Sequence, residues 1–181
     1  MQRASRLKYL LAVAVLAAGC GSQPSGRESE VQSSVARGYV LPPDDAETLV
    51  GGNGVVTIIA SPSTGSEIFA MGTQKLYPNS SIPVHRHEHA DEAFFVHQGG
   101  GVGIVGDRHT VLSPGDAVYV PRGVWHGFET GTEELNVVWF IAPPGLEQFF
   151  RETRVEPGTP LRNLTPEQME QIGLRHGIRN R

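Results

Sequence analysis

Cysteine is almost absent: Cys20 is the only one in 181 residues. No disulfide can therefore form within the chain, and packing must supply its stability. No apolar run approaches the roughly twenty residues that a membrane-spanning helix needs; the longest, Leu10 to Ala18, has nine. The body of the chain lacks any basic run, and 15 Lys and Arg against 19 Asp and Glu leave a net charge of −4. That balance argues against nucleic-acid binding. Charged residues make up 19% and hydrophobic ones 39%, values of a globular domain and not of a disordered chain or a membrane bundle. Turn chemistry is what abounds. The 22 Gly and 13 Pro favour many short strands over long helices. The length suits one domain with some tail left over.

Residues 1–19 read as a targeting segment. Arg3, Arg6 and Lys8 precede the apolar run, which ends in Leu16-Ala17-Ala18-Gly19-Cys20. That ending resembles a bacterial lipobox, with the leucine one position earlier than in the usual pattern. The resemblance implies that Cys20 is lipidated and becomes the mature N-terminus. The expectation is an exported bacterial lipoprotein, anchored on the periplasmic or cell-surface side and touching the membrane only through Cys20. An ordinary secretory signal cleaved near Ala18 is the alternative. Residues 20–45 are then a flexible tether, because Gly21 to Ser34 is Ser, Gln, Gly and Glu with almost nothing apolar to bury.

From Val55 onward, short β-branched and aromatic runs alternate with Gly/Pro turn signals. The runs are Val55–Ile59, Glu67–Met71, Glu92–Val96, Val102–Val105, Ala117–Val120 and Leu135–Ile141. Their spacing predicts an all-β antiparallel sandwich or barrel over residues 46–145. Residues 146–181 read differently. Leu146, Phe149 and Phe150 have helical spacing, and Thr165-Pro166-Glu167-Gln168 is a capping-box sequence opening a helix that stops near Gly177. Two short helices are expected, packed outside the barrel or on a partner subunit.

Five of the seven histidines lie between residues 85 and 109. His85 and His87 are i and i+2 on a strand, so both imidazoles project from one face. Glu92 opens the apolar stretch Ala93-Phe94-Phe95-Val96, and His126 follows a Pro121-Arg122-Gly123 turn on a later segment. Three imidazoles and a carboxylate suit one divalent transition metal, Fe, Mn, Ni, Cu or Zn. His89 continues the i, i+2 series and is read as a substrate contact on the rim. Phe94 shares parity with Glu92 and should line the cavity, with Val96, Val118 and Val120 as further apolar wall. Asp91 and His97 fall at odd offsets and should point outward. His109, beside a turn, and His176, near a helix end, are expected to carry no chemistry. Trp125 is expected to be exterior, and Tyr119, Trp139 and Phe140 to lie in the core or in dimer contacts.

Two segments resemble the signatures of the cupin superfamily. His85, His87, Glu92 and Gly99 keep every spacing of the first signature, with Asn79 in place of its leading glycine. Gly115, Pro121, Gly123 and His126 match the second, with Thr130 where that pattern ends in Asn. The motifs span residues 79–130, and the likeness extends over about 55–142. It implies a small antiparallel β-barrel (a double-stranded β-helix, or jelly roll) with short C-terminal helices, and metal ligation by His85, His87, Glu92 and His126. The Pro143–Phe150 and Leu174–Ile178 segments are similar to tails of single-domain, quercetin-dioxygenase-like cupins. In flavonol-cleaving relatives the residue at the Glu92 position can detach and act as a base.

The apolar wall and the open metal site point first to a dioxygenase-type oxidoreductase acting on a small apolar or aromatic molecule. A non-catalytic surface module that binds a small molecule or metal is a second reading, and a cupin isomerase or decarboxylase a third, since the fold hosts all three. A small-molecule ligand or substrate is the expected partner, and a homodimer is the expected assembly if the chain associates.

Overall fold

The computed structural model describes residues 38–181. The targeting segment, Cys20 and most of the tether lie outside the described residues. Eleven strands and two α-helices follow in the order β1 (Glu47–Gly51), β2 (Gly54–Ala60), β3 (Ala70–Leu76), β4 (Ser81–His87), β5 (Asp91–Gly99), β6 (Gly101–Val105), β7 (Arg108–Leu112), β8 (Ala117–Val120), β9 (His126–Glu129), β10 (Leu135–Ala142), α1 (Glu147–Thr153), α2 (Pro166–Arg175) and β11 (Ile178–Asn180).

The strands form a six-stranded sheet in the order β1-β2-β3-β10-β5-β8 and a five-stranded sheet in the order β11-β4-β9-β6-β7. Every pairing within them is antiparallel. The outcome is a two-sheet sandwich, one of the two antiparallel architectures that the sequence suggested, and the described strands do not close into a barrel. Tight turns at the corners carry the chain from sheet to sheet without extending the hydrogen-bond ladder across. At the β3–β4 corner Asn79 takes φ +54, the only non-glycine described residue with positive φ, a conformation that Asn tolerates. Thr130 secures this corner: its hydroxyl accepts from Ser80 N at 2.8 Å and donates to the Tyr77 carbonyl at 2.6 Å.

Alternation explains the core. In β2 and β3 every second residue is buried, and β10 buries Leu135, Val137, Trp139 and Ile141. Such period-2 burial is what a sheet with one face inward requires. The inner faces of the two sheets meet where Phe94 of β5 packs edge-on against Phe128 of β9, centroids 4.7 Å apart. Tyr119 and Phe140 are not core residues. They flank Ala93 in one row across the outer face of the six-stranded sheet and stay exposed.

Two expectations need correction. The strand expected over Glu67–Met71 begins only at Ala70, because the chain from Ser61 to Phe69 closes into a turn held by Ser61–Thr64 and Ser66–Phe69 hydrogen bonds. The C-terminal segment is not an outer decoration. After α2, whose Thr165–Gln168 capping box forms as its sequence suggests, Gly177 turns the chain with φ +70. Strand β11 then pairs with β4, setting Ile178 opposite His87 and Asn180 opposite His85.

Candidate metal centre

Strand alternation on β4 sends His85 and His87 to the same side, and β9 delivers His126 opposite His85 in the ladder. Glu92, second residue of β5, comes from the facing sheet. The Pro121–Gly123 turn that precedes β9 is tied to both partners. Arg122 donates its backbone N–H and its Nε to Asp91 Oδ1 at 2.9 and 3.0 Å, and Gly123 N donates to the His87 carbonyl at 2.7 Å. Gly123 has φ +80, a conformation that a residue with a Cβ adopts only under strain. The spacing of the second motif thus positions His126 by locking its turn against the first.

The donor atoms of His85, His87, Glu92 and His126 all lie within 4.8 Å of one another. Glu92 Oε2 is 3.0 Å from both His87 Nε2 and His126 Nε2, about the separation of adjacent donors around an ion with bonds of about 2.1 Å. His87 and Glu92 are 4% and 5% exposed, and His126 is fully buried.

Backbone carbonyls set the ring orientations. His85 Nδ1 donates to Pro83 O at 2.8 Å and His126 Nδ1 to Val124 O at 3.0 Å. A neutral imidazole has one N–H, so Nε2 of both rings presents a lone pair. At His126 that lone pair confronts a carboxylate oxygen at 3.0 Å, an arrangement that is repulsive unless a cation lies between them. His87 Nδ1 is buried with no hydrogen-bond partner among the described residues, leaving its Nε2 side as the ring's polar contact. The donor set therefore fits a divalent metal ion.

Electrostatics agree with that fit. Burial, then the neighbouring imidazoles, pull His85 down to about 3, so it stays neutral and able to ligate at ordinary pH. Burial opposes ionisation of Glu92, but the neighbouring His126 and His87 side chains outweigh it and hold the carboxyl at about 2. Both shifts have one consequence for stability. In the unfolded chain His85 takes up a proton below about 6.5 and Glu92 below about 4.3; in the folded chain both resist. The stability that the two groups contribute is complete above about pH 6.5 and drains away as pH falls toward 3 and then 2. Denaturant midpoints of metal-free protein should drop steadily between pH 7 and pH 4; a flat profile across that window would contradict the burial of this cluster.

The site opens into a cavity of about 530 Å³, a volume typical of small-molecule sites. Phe94 and Phe128 line it next to Glu92, as do Ile82, Phe149 and Phe150. Val96 and Val120 are fully buried core, and neither they nor Val118 belong to its wall. His89 is not there either: β4 ends at His87, the chain bends, and His89 sits exposed beside Gly177. Asp91 and His97 point away, as their parity requires. Trp125 is half-buried beneath Arg86, whose guanidinium carbon is 4.8 Å from the ring centroid.

Sequence reading missed the far wall altogether. Leu146, Phe149, Phe150 and Arg154 of the α1 segment, Met169 of α2 and Ile178 of β11 all face the cavity. A signal did exist, since Leu146, Phe150 and Arg154 stand four residues apart along one helical face.

Comparison with known proteins accords with this architecture. Residues 72–142 match the family model described as the cupin domain. An uncharacterized protein of Streptomyces coelicolor is 41% identical over 54 residues, which is 30% of this chain and 51% of that protein; the match spans about half of the curated relative's length. Among solved structures, KdgF from Halomonas sp. superposes with a TM-score of 0.56 at 20% identity, covering 62% of this chain and 99% of its own. The polyketide cyclase RemF from Streptomyces resistomycificus superposes at 0.55 and 20% identity, covering 74% and 92%. These likenesses establish the fold and leave the reaction open. Residues 72–142 form a cupin domain, and the C-terminal segment helps to wall the cavity into which His85, His87 and Glu92 open.

Proposed function

We propose that this protein is a metal-dependent oxidoreductase of the dioxygenase type, acting on a small, largely apolar or aromatic molecule. The observation that carries this reading is the union of three imidazoles and a carboxylate with a cavity walled by Phe94, Phe128, Phe149 and Phe150. When bound, a first-row divalent ion supplies Lewis acidity and, where redox-active, electron transfer. The chain supplies the rest. His85 and His126, oriented by the Pro83 and Val124 carbonyls, direct Nε2 toward one point. Glu92 adds a carboxylate oxygen 3.0 Å from Nε2 of both His87 and His126. The aromatic walls exclude water and offer ring faces and edges to a planar substrate.

Elemental analysis of protein from its native source identifies the ion without the bias of heterologous metal supply. Protein loaded with that ion should then consume O₂ in proportion to an aromatic substrate, and protein loaded with Zn should not. Equal turnover with Zn under anaerobic conditions would replace the oxidative reading with isomerase- or cyclase-type chemistry. Ligand binding without turnover on any metal would leave a binding module.

We also infer that the protein is exported and lipid-anchored at Cys20. The short apolar run and the lipobox-like ending support this, and acyl chains on the Cys20 peptide in mass spectra are the result to look for.

A further inference from the structure

At the cavity end nearest the β1–β2 turn lies a charge that the metal chemistry does not use. The register sets that turn apart from the candidate ligands: Gly54 is opposite Leu76, Leu76 opposite Leu135, and Leu135 opposite Gly99, seven residues along β5 from Glu92. Arg154, just past α1, lines the cavity there and is 8% exposed. Its Nη1 donates to Gly54 O and its Nη2 to Asn53 Oδ1, both at 2.9 Å. A guanidinium has five N–H donors, so three of them have no partner among the described residues.

No carboxylate of a described residue pairs with Arg154. Arginine is seldom buried without an acid beside it. The surroundings are built for this side chain. A Cβ on Gly51 would stand 2.6 Å from Arg154 Nη1, so glycine at 51 lets the guanidinium lie against the turn. Asn53 Nδ2 donates to Ser81 O at 2.9 Å, which aims Oδ1 at the arginine. Phe150 packs on the other side, 5.9 Å from ring centroid to guanidinium carbon. Burial pulls the group down to about 10, which leaves it charged at neutral pH and short of a counter-ion. Pinning α1 to the hairpin accounts for two donors; it does not account for an uncompensated charge facing a ligand-sized cavity.

We infer that Arg154 receives a carboxylate of the bound molecule, so that the substrate is an aromatic or apolar acid with its acid group at the β1–β2 end and its body among Phe94, Phe128 and Phe150. This rests on the reading of the cavity as the substrate site and refines its substrate class. Planar bidentate pairing with a carboxylate is the interaction for which a guanidinium is suited.

The test compares 3-phenylpropanoate with its neutral analogue 3-phenylpropanamide by calorimetric titration, using Zn-loaded and chelator-treated protein. Wild type should prefer the acid by about tenfold or more in both forms. Arg154→Gln should bring the two ligands within about twofold of each other. Should that variant fail to fold, Asn53→Asp serves instead. It sets a carboxylate beside the guanidinium and should abolish the preference by satisfying the charge internally, losing only an exposed bond to Ser81. Equal binding of acid and amide to wild type overturns the proposal, as does a preference that survives in folded Arg154→Gln. A preference that vanishes on chelation also overturns it, because the acid would then sit on the metal. These binding readouts are independent of O₂ uptake, so the reaction assignment and the anion site can fail separately.

Discussion

Protein carrying His87→Ala together with His126→Ala should bind divalent transition metals more than about 100-fold more weakly than wild type, since loss of a mere outer-shell partner already costs about 10–100-fold. Two of the four donors vanish, and His126 is also the one whose turn is locked to both β4 and β5. Stability should fall as well. Glu92 is 5% exposed, with Nε2 of both rings 3.0 Å from its Oε2; removing the partners of a buried carboxylate costs about 3–5 kcal/mol. A His87→Gln, His126→Gln protein separates the two effects, because the amides can donate to Glu92 while they replace imidazole ligands with poor ones. Inductively coupled plasma measurement of bound metal decides the matter. Full occupancy in the double-alanine protein would sink the assignment of the site.

Trp139→Ala should lower the unfolding free energy by about 3–5 kcal/mol, a large share of the roughly 5–15 kcal/mol typical of a domain. Trp139 is 1% exposed at the centre of β10. Its ring lies over Gly72, where a Cβ would come within 2.6 Å of Cζ2, so the opposing residue of β3 has no side chain to fill the void. Its indole N–H donates to Thr73 O at 3.1 Å, and its other side meets Phe150 at 5.6 Å between centroids. Phe150 is cavity wall. The substitution therefore loosens the cavity wall from behind while leaving His85, His87, Glu92 and His126 in place. Denaturant titration gives the stability change, and metal affinity should be nearly unaltered. A loss below about 1 kcal/mol would mean that the core collapses around the missing ring more fully than usual.

The four donors were legible in the sequence for a local reason. His85 and His87 are separated by one strand period, the turn residues around His126 act within a few positions, and β-alternation converts both spacings directly into side-chain direction. The same rule places Glu92 and Phe94 inward, Asp91 and His97 outward. It failed at His89, since alternation holds only while the strand continues and β4 stops at His87. It failed again at Val96, Val118 and Val120, where inward parity was mistaken for cavity wall although inward can equally mean solid core.

What the sequence by itself determined is the strand-and-turn pattern, the capped second helix and the convergence of three imidazoles with one carboxylate. Each follows from intervals of a few residues and the chemistry of Gly, Pro, Asn and Thr. Only the tertiary structure decided that the sheets stay separate, that β11 returns to lie beside His85 and His87, and that α1 brings Phe150 and Arg154 against the cavity. Those contacts join residues 91 to 101 positions apart, and local periodicity carries no information about which distant surface an apolar helix face will cover. The candidate metal ligands are therefore a property of two short segments, whereas the pocket that would select a substrate is a property of the whole fold.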